Sequence, residues 1–169
     1  MKKIAIVGPE STGKSDLAAA LALHYNSVWV KEYAREYLNN INRDYNYNDL
    51  QLIAEGQIKA EEEMLKKANR ILFCDTNLLV IKIWSEFKYG KCNEWILNSI
   101  KKRHYDYYLL TDIDLPWQPD PLREHPDKCK ELFEIYFNEL TGINAGFGVV
   151  SGTGNKRLNS AIELIKNIY

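Results

Sequence analysis

The sequence predicts an α/β fold with a mainly parallel sheet flanked by helices. Three observations predict it. Short apolar runs alternate with longer segments of helical periodicity. Several of those runs are apolar at nearly every position, as strands covered on both faces are. A segment of the form G-x-x-x-x-G-K-S joins the first apolar run to the first helical pattern.

Taken in order, the first strand covers residues 3–7, Lys-Ile-Ala-Ile-Val, and the first helix residues 14–25, with Leu17, Leu21 and His24 at helical spacing. A second strand at 27–31 precedes a long helix at 48–68, carrying Leu52, Ile53, Ala60, Met64 and Leu65. The third strand, 70–75, ends on Asp75, and two further helices are expected at 77–87 and 93–103. The fourth strand is 106–111. Residues 112–126 contain Pro116, Pro119, Pro121 and Pro126, which exclude a continuous helix. A helix from Asp127 to Leu140 aligns Leu132, Phe133, Tyr136 and Leu140. The last strand is 146–150, and the last helix runs from Asn155 to Tyr169 with Leu158, Ile162, Ile165 and Ile168 in register.

At 169 residues the chain suits one domain, 1–169. Its 22 basic and 23 acidic residues leave a formal net charge of -1, so no broad basic field exists for nucleic acid or an anionic membrane. No apolar stretch approaches membrane-spanning length. The apolar run after Lys2 and Lys3 meets Gly8, Pro9 and Glu10 too soon for a secretory signal. Cys74, Cys92 and Cys129 are odd in number and widely spaced, which argues against a disulfide framework or zinc site and fits a reducing cytoplasm.

Gly8-Pro9-Glu10-Ser11-Thr12-Gly13-Lys14-Ser15 matches the phosphate-loop pattern at every fixed position. Gly8 and Gly13 allow the backbone to turn tightly, so that N–H groups of Glu10, Ser11, Thr12 and their neighbours can meet phosphate oxygens. Lys14 reaches the outer phosphates, Ser15 offers a hydroxyl to Mg²⁺, and the positive end of the first helix faces the same anion. A chance match in a chain this size is roughly a one-in-a-hundred event at average residue usage. The placement between strand and helix makes it rarer still, so ATP and Mg²⁺ are the expected co-substrate and cofactor.

Asp75 stands where a phosphate-loop protein keeps the acid that holds Mg²⁺; the bland alternative is a cap for the next helix. Thr76 follows it rather than a Glu that would activate water, which favours transfer to a bound acceptor. Neither N-K-x-D nor D-x-x-G occurs, which disfavours a GTPase switch.

The acceptor side is expected beyond the carboxyl ends of the strands. There Glu32 can take a proton from an acceptor hydroxyl, and Arg35 can hold the transferring phosphoryl group, within Glu32-Tyr33-Ala34-Arg35. An exposed first helical turn is the plainer reading of this segment. Gly56, beside Gln57 inside the long helix, marks a close approach of either a ligand or another helix. Around 114–128 a lid-like segment offers Trp117 for stacking on a heterocycle, Asp120 for sugar hydroxyls and Arg123 for phosphates. Gly152, in Ser151-Gly152-Thr153-Gly154, is placed for adenine contact or a simple turn.

Together the phosphate loop, Glu32-Tyr33-Ala34-Arg35, Ile53-Ala54-Glu55-Gly56-Gln57, Phe73-Cys74-Asp75-Thr76 and Leu115-Pro116-Trp117 with Asp120 and Arg123 carry a resemblance. The chain resembles the ribosylnicotinamide kinase domain of bifunctional bacterial NAD-biosynthesis proteins, in a stand-alone form. The resemblance implies a kinase-type phosphate-loop fold with five parallel strands in the order 2-3-1-4-5. It also implies transfer from ATP to the 5'-hydroxyl of nicotinamide riboside, giving nicotinamide mononucleotide. Glu32 or Asp75 would be the base, and Tyr33, Gln57, Trp117 and Asp120 would meet the nucleoside. The chain enters its phosphate loop directly, so an adenylyltransferase or DNA-binding portion is not expected ahead of it. Two other readings stand beside this one. A deoxynucleoside or nucleoside-monophosphate kinase would draw on Arg35, Arg43 and Arg123, and a non-catalytic ATP sensor would bind without transfer.

Overall fold

A computed structural model describes residues 1–166 and Ile168. In chain order its elements are β1 (Lys2–Val7), α1 (Lys14–His24), β2 (Val28–Val30), α2 (Tyr33–Asn40), α3 (Asp49–Leu65), β3 (Ile71–Asp75), α4 (Leu78–Tyr89), α5 (Glu94–Lys101), β4 (Tyr107–Thr111), α6 (Cys129–Gly142), β5 (Phe147–Val150) and α7 (Asn155–Lys166). The five strands form one sheet in the order β2-β3-β1-β4-β5, and every pairing is parallel. This is the order the family resemblance implies. Each expected strand is present, trimmed or extended by a residue at its ends. The last helix was expected to reach Tyr169; it ends at Lys166, and positions 167 and 169 lie outside the described residues.

The period-2 geometry of a strand sends alternate side chains to opposite faces. Ile4, Ile6, Ile71 and Phe73 pack under α1 and α7 against Leu17, Leu21, Ile162 and Ile165. Ala5, Val7, Leu72 and Cys74 pack under α4 and α6 against Leu79, Ile83, Leu132 and Tyr136. A third cluster, with Leu50, Ile53, Leu78, Ile81 and Ile96, joins α3, α4 and α5 and supports α2 through Ala34. Burial on both faces explains why these strands read as continuous apolar runs.

Helix α2 is an element the apolar pattern does not announce. Of its eight residues only Ala34 is buried, so its stripe is too thin to register as periodicity. What holds it is Gly56 of α3. A Cβ at Gly56 would stand 1.9 Å from Cε1 of Tyr33, so the ring of Tyr33 lies directly on the glycine backbone. Beside it the Tyr33 N–H donates to Gln57 Oε1 at 2.9 Å. Of the two explanations for a glycine inside a helix, the tight helix–helix contact is therefore the one observed.

This packing predicts that Gly56→Ala lowers the melting temperature even though alanine is the better helix former by about 1 kcal/mol. The displaced ring is expected to cost about 1–3 kcal/mol. Thermal unfolding of Gly56→Ala and of Gly56→Ala/Tyr33→Ala checks it, with the double variant losing less than the sum of the single changes.

Candidate active site

The parallel register brings the carboxyl ends of all five strands to one edge of the sheet. Val7 pairs with Leu110, Ile6 with Asp75, and Thr111 with Val150. The loop after β1 is packed hard against the end of β4. A Cβ at Gly8, whose φ is +141°, would meet Thr111 Oγ1 at 2.4 Å. Thr12 is buried in the same contact, its hydroxyl 2.8 Å from the Pro9 carbonyl and 2.7 Å from Thr111 Oγ1.

Arg157, at the start of α7, ties this loop to its neighbours. Its guanidinium is buried and donates to the carbonyls of Thr12 (2.7 Å), Asp112 (3.0 Å) and Gly152 (2.8 Å), and to Asp114 Oδ1 (2.6 Å). Gly152 N donates to the other Asp114 oxygen. One side chain thus links the loops after β1, β4 and β5. The sequence does not announce it, because an arginine in a helical turn carries no motif of its own.

A cavity of about 260 Å³ opens at this edge. Gly8, Glu10, Ser11, Thr12, Gly13, Lys14 and Ser15 form one wall. Glu32, Arg35 and Leu38 stand at the end of β2 and along α2. Val80, Ile83, Trp84 and Phe87 of α4, with Leu132 and Tyr136 of α6, make an apolar and aromatic wall. Leu122, Arg123, Glu124 and His125 come from the proline-rich segment between β4 and α6, which carries no helix or strand. One cavity therefore gathers the phosphate loop, Glu32, Arg35 and Arg123.

Other residues singled out in the sequence lie outside the lining. Tyr33 and Gln57 form the α2–α3 contact already described. Asp120 accepts from Arg35 Nη1 at 2.9 Å and from the Leu122 N–H at 2.9 Å, pinning α2 to the segment. Trp117 stands outside the lining, its Nε1 buried and without a partner among the described residues. Gly152 serves the Arg157 linkage. The sequence did not single out the aromatic wall, because Trp84, Phe87 and Tyr136 sit at ordinary core spacing in their helices. Nor did it single out His125, whose ring meets Phe87 edge-on at 5.0 Å.

Charge at the site is held at a cost. Lys14 Nζ donates to the carbonyls of Gly8 (3.0 Å) and Pro9 (2.6 Å). Burial pushes its pKa below the ordinary lysine value, while Glu32, Asp75 and Glu10 pull it back up. Asp75 is 1% exposed, and its Oδ1 has no hydrogen-bond partner among the described residues. Burial first, and then the Glu32 carboxylate, raise its pKa to about 6; the Ser15 hydroxyl, Lys14 and Arg35 act in the opposite direction. Asp75 is not spent on capping α4, because Asn77 does that, its Oδ1 accepting from the Leu79 N–H at 3.1 Å.

A carboxylate with a folded-state pKa raised from 3.8 to about 6 opposes folding once ionised. The opposition grows as pH rises through that window and amounts to about 3 kcal/mol above it. Asp75→Asn is therefore expected to melt at a higher temperature than the wild type at neutral pH, with the gap closing as pH falls below about 6. Calorimetric scans of both proteins across that range test this; a lower or pH-independent melting temperature for the variant would contradict it.

Comparison with known proteins agrees with this geometry. The chain is 29% identical, over 99% of its length, to the trifunctional NAD biosynthesis/regulator protein NadR of Escherichia coli (strain K12), and covers 43% of that protein. It thus spans less than half the length of this curated relative. The solved structure of NadR protein in complex with NAD and AMP-PNP matches with a TM-score of 0.82 and 22% identity, over 99% of this chain and 49% of that one. The structure of NadR protein in complex with NR gives 0.82 and 20% identity, over 99% and 50% of the two chains. Thymidylate kinase from Ehrlichia chaffeensis matches at 0.69 and 14% identity, over 99% and 98%. At such identities the solved structures speak for the fold, which is that of phosphate-loop kinases. The AAA domain family model matches residues 3–157, from the first strand into the last helix, and the chain belongs to that family.

Proposed function

We propose that this protein is a kinase that transfers the γ-phosphoryl group of ATP to the 5'-hydroxyl of nicotinamide riboside, forming nicotinamide mononucleotide and ADP. The observation that carries this reading is the two-sided cavity. One cavity is lined by the phosphate loop, by the aromatic side chains of Trp84, Phe87 and Tyr136, and by Glu32 and Arg35. A triphosphate suits the first side, and a flat heterocycle on a sugar suits the second. The similarity to NadR, a protein of NAD biosynthesis, favours the riboside among such acceptors.

In this reading Lys14 and the N–H groups of the phosphate loop hold the β- and γ-phosphates, and Arg35 and Arg123 supply positive charge around the group in flight. Glu32 lines the cavity and takes the proton of the acceptor hydroxyl as that oxygen bonds to phosphorus and the bond to the β-phosphate oxygen breaks. Asp75 is left for a different task. Its unpartnered Oδ1 and the neighbouring Ser15 hydroxyl fit a hard divalent cation, so these two would hold the Mg²⁺ that accompanies ATP. That cation, when bound, offsets phosphate charge. The segment around 114–128 acts as a lid, closing the acceptor away from water.

Coupled ADP-release assays with nicotinamide riboside, thymidine and thymidylate in parallel test the proposal. Turnover is expected with the riboside well above the other two; preference for thymidylate would move the assignment to a monophosphate kinase. Lys14→Ala is expected to lower kcat by about a hundredfold or more while leaving the circular-dichroism spectrum unchanged. Activity close to wild type in that variant would remove the phosphate loop from the chemistry.

A further inference from the structure

Glu10 presents a conflict of charge. It sits inside the phosphate loop, lines the cavity, and is close enough to Lys14 to raise that lysine's pKa. A carboxylate there repels the polyphosphate that the loop exists to bind. Its hydrogen bonds show where the charge is used. The N–H of Glu124 donates to both Glu10 oxygens at 3.1 Å, and the N–H of His125 donates to Oε2 at 3.2 Å. The neighbouring Ser11 does the same at the other end of the segment. Its hydroxyl accepts from the Gln118 N–H at 2.8 Å and from Arg123 Nη1 at 3.3 Å. Ser11 makes these contacts from a left-handed backbone, φ 59°, a conformation that disfavours a residue with a Cβ.

We propose that Glu10 is a positioning residue that fastens the 118–125 segment over the cavity, and not a ligand of the nucleotide. Its carboxylate takes up two backbone N–H groups, fixing the turn from which Arg123 and His125 enter the cavity wall. Ser11 braces the same segment through Gln118. The side chains of Glu10 and Ser11, the two positions immediately before Thr12, therefore face the lid, while the backbone of the loop is left for phosphate. Because the latch is part of the phosphate loop, the position of the lid and the state of that loop are linked. The effect on transfer rests on the kinase reading above; the latch itself does not.

The two roles for Glu10 predict opposite signs. A nucleotide ligand replaced by alanine loses ATP affinity. A latch replaced by alanine relieves repulsion, so Glu10→Ala is expected to bind ATP as tightly as wild type or more tightly by calorimetry. The freed lid is expected to be cut by trypsin after Arg123 or Lys128 about tenfold faster or more, as the loss of hydrogen bonds to a charged group implies. Transfer to the acceptor should fall and ATP hydrolysis by water should rise, raising the ratio of ADP to phosphorylated product. Glu10→Gln keeps one acceptor oxygen and should recover most of the protection. Weaker ATP binding by Glu10→Ala with unchanged tryptic cleavage would overturn the proposal. Should the wild type phosphorylate no acceptor, the kinase reading falls, while ATP affinity and lid cleavage still decide the role of Glu10.

Discussion

The site depends on one buried guanidinium. A parallel sheet delivers five loops to one edge, and each loop brings backbone carbonyls that have left the ladder and need donors. Arg157 answers three of them together, on Thr12, Asp112 and Gly152, and balances its charge on Asp114. Its planar fork suits the task as a lysine would not, because several donors leave one rigid group in fixed directions. With the loops after β1, β4 and β5 tied in this way, the phosphate loop is held against Thr111 and its carbonyls and N–H groups keep a fixed layout. Lys14, held by its bonds to the Gly8 and Pro9 carbonyls, then occupies a set position in that loop.

That rigidity is matched by stored unfavourable charge. Asp75 is buried and Lys14 half-buried, and each has its pKa displaced toward the neutral form. Such displacement is what preorganised sites show, where groups await an opposite charge that the protein itself does not fully supply. The Oδ1 of Asp75 lacks a partner among the described residues, while the buried carboxylates of Asp49 and Glu61 are hydrogen-bonded. Asp49, for example, accepts from Arg43, Tyr37 and the Asn46 N–H. The contrast supports the role proposed for Asp75 in holding a cation.

Much of this was legible in the sequence, and the exceptions have physical reasons. Continuous apolar runs gave the strands because both sheet faces are covered, and G-x-x-x-x-G-K-S gave the loop because few backbones can wrap a phosphate. Helix α2 escaped notice because one buried alanine makes no stripe, although Glu32-Tyr33-Ala34-Arg35 had marked its first turn. Gly56 is ambiguous in sequence, since a glycine reports a close approach without naming the neighbour, here Tyr33. Arg157 and the aromatic wall of Trp84, Phe87 and Tyr136 were invisible for a different reason. Their roles come from partners far along the chain, and their local spacing is that of any amphipathic helix. Trp117 shows the converse, a conspicuous residue that the fold places outside the cavity lining.

The transfer proposed for this cavity carries a phosphoryl group from ATP to a nucleoside hydroxyl. Phosphorus NMR of the protein with ATP, Mg²⁺ and nicotinamide riboside follows that group directly. Transfer to the hydroxyl predicts a growing phosphomonoester resonance coupled to the 5' protons of the ribose, matched one for one by ADP. Inorganic phosphate alone, or a phosphoanhydride formed only when a nucleoside monophosphate is supplied, would contradict it.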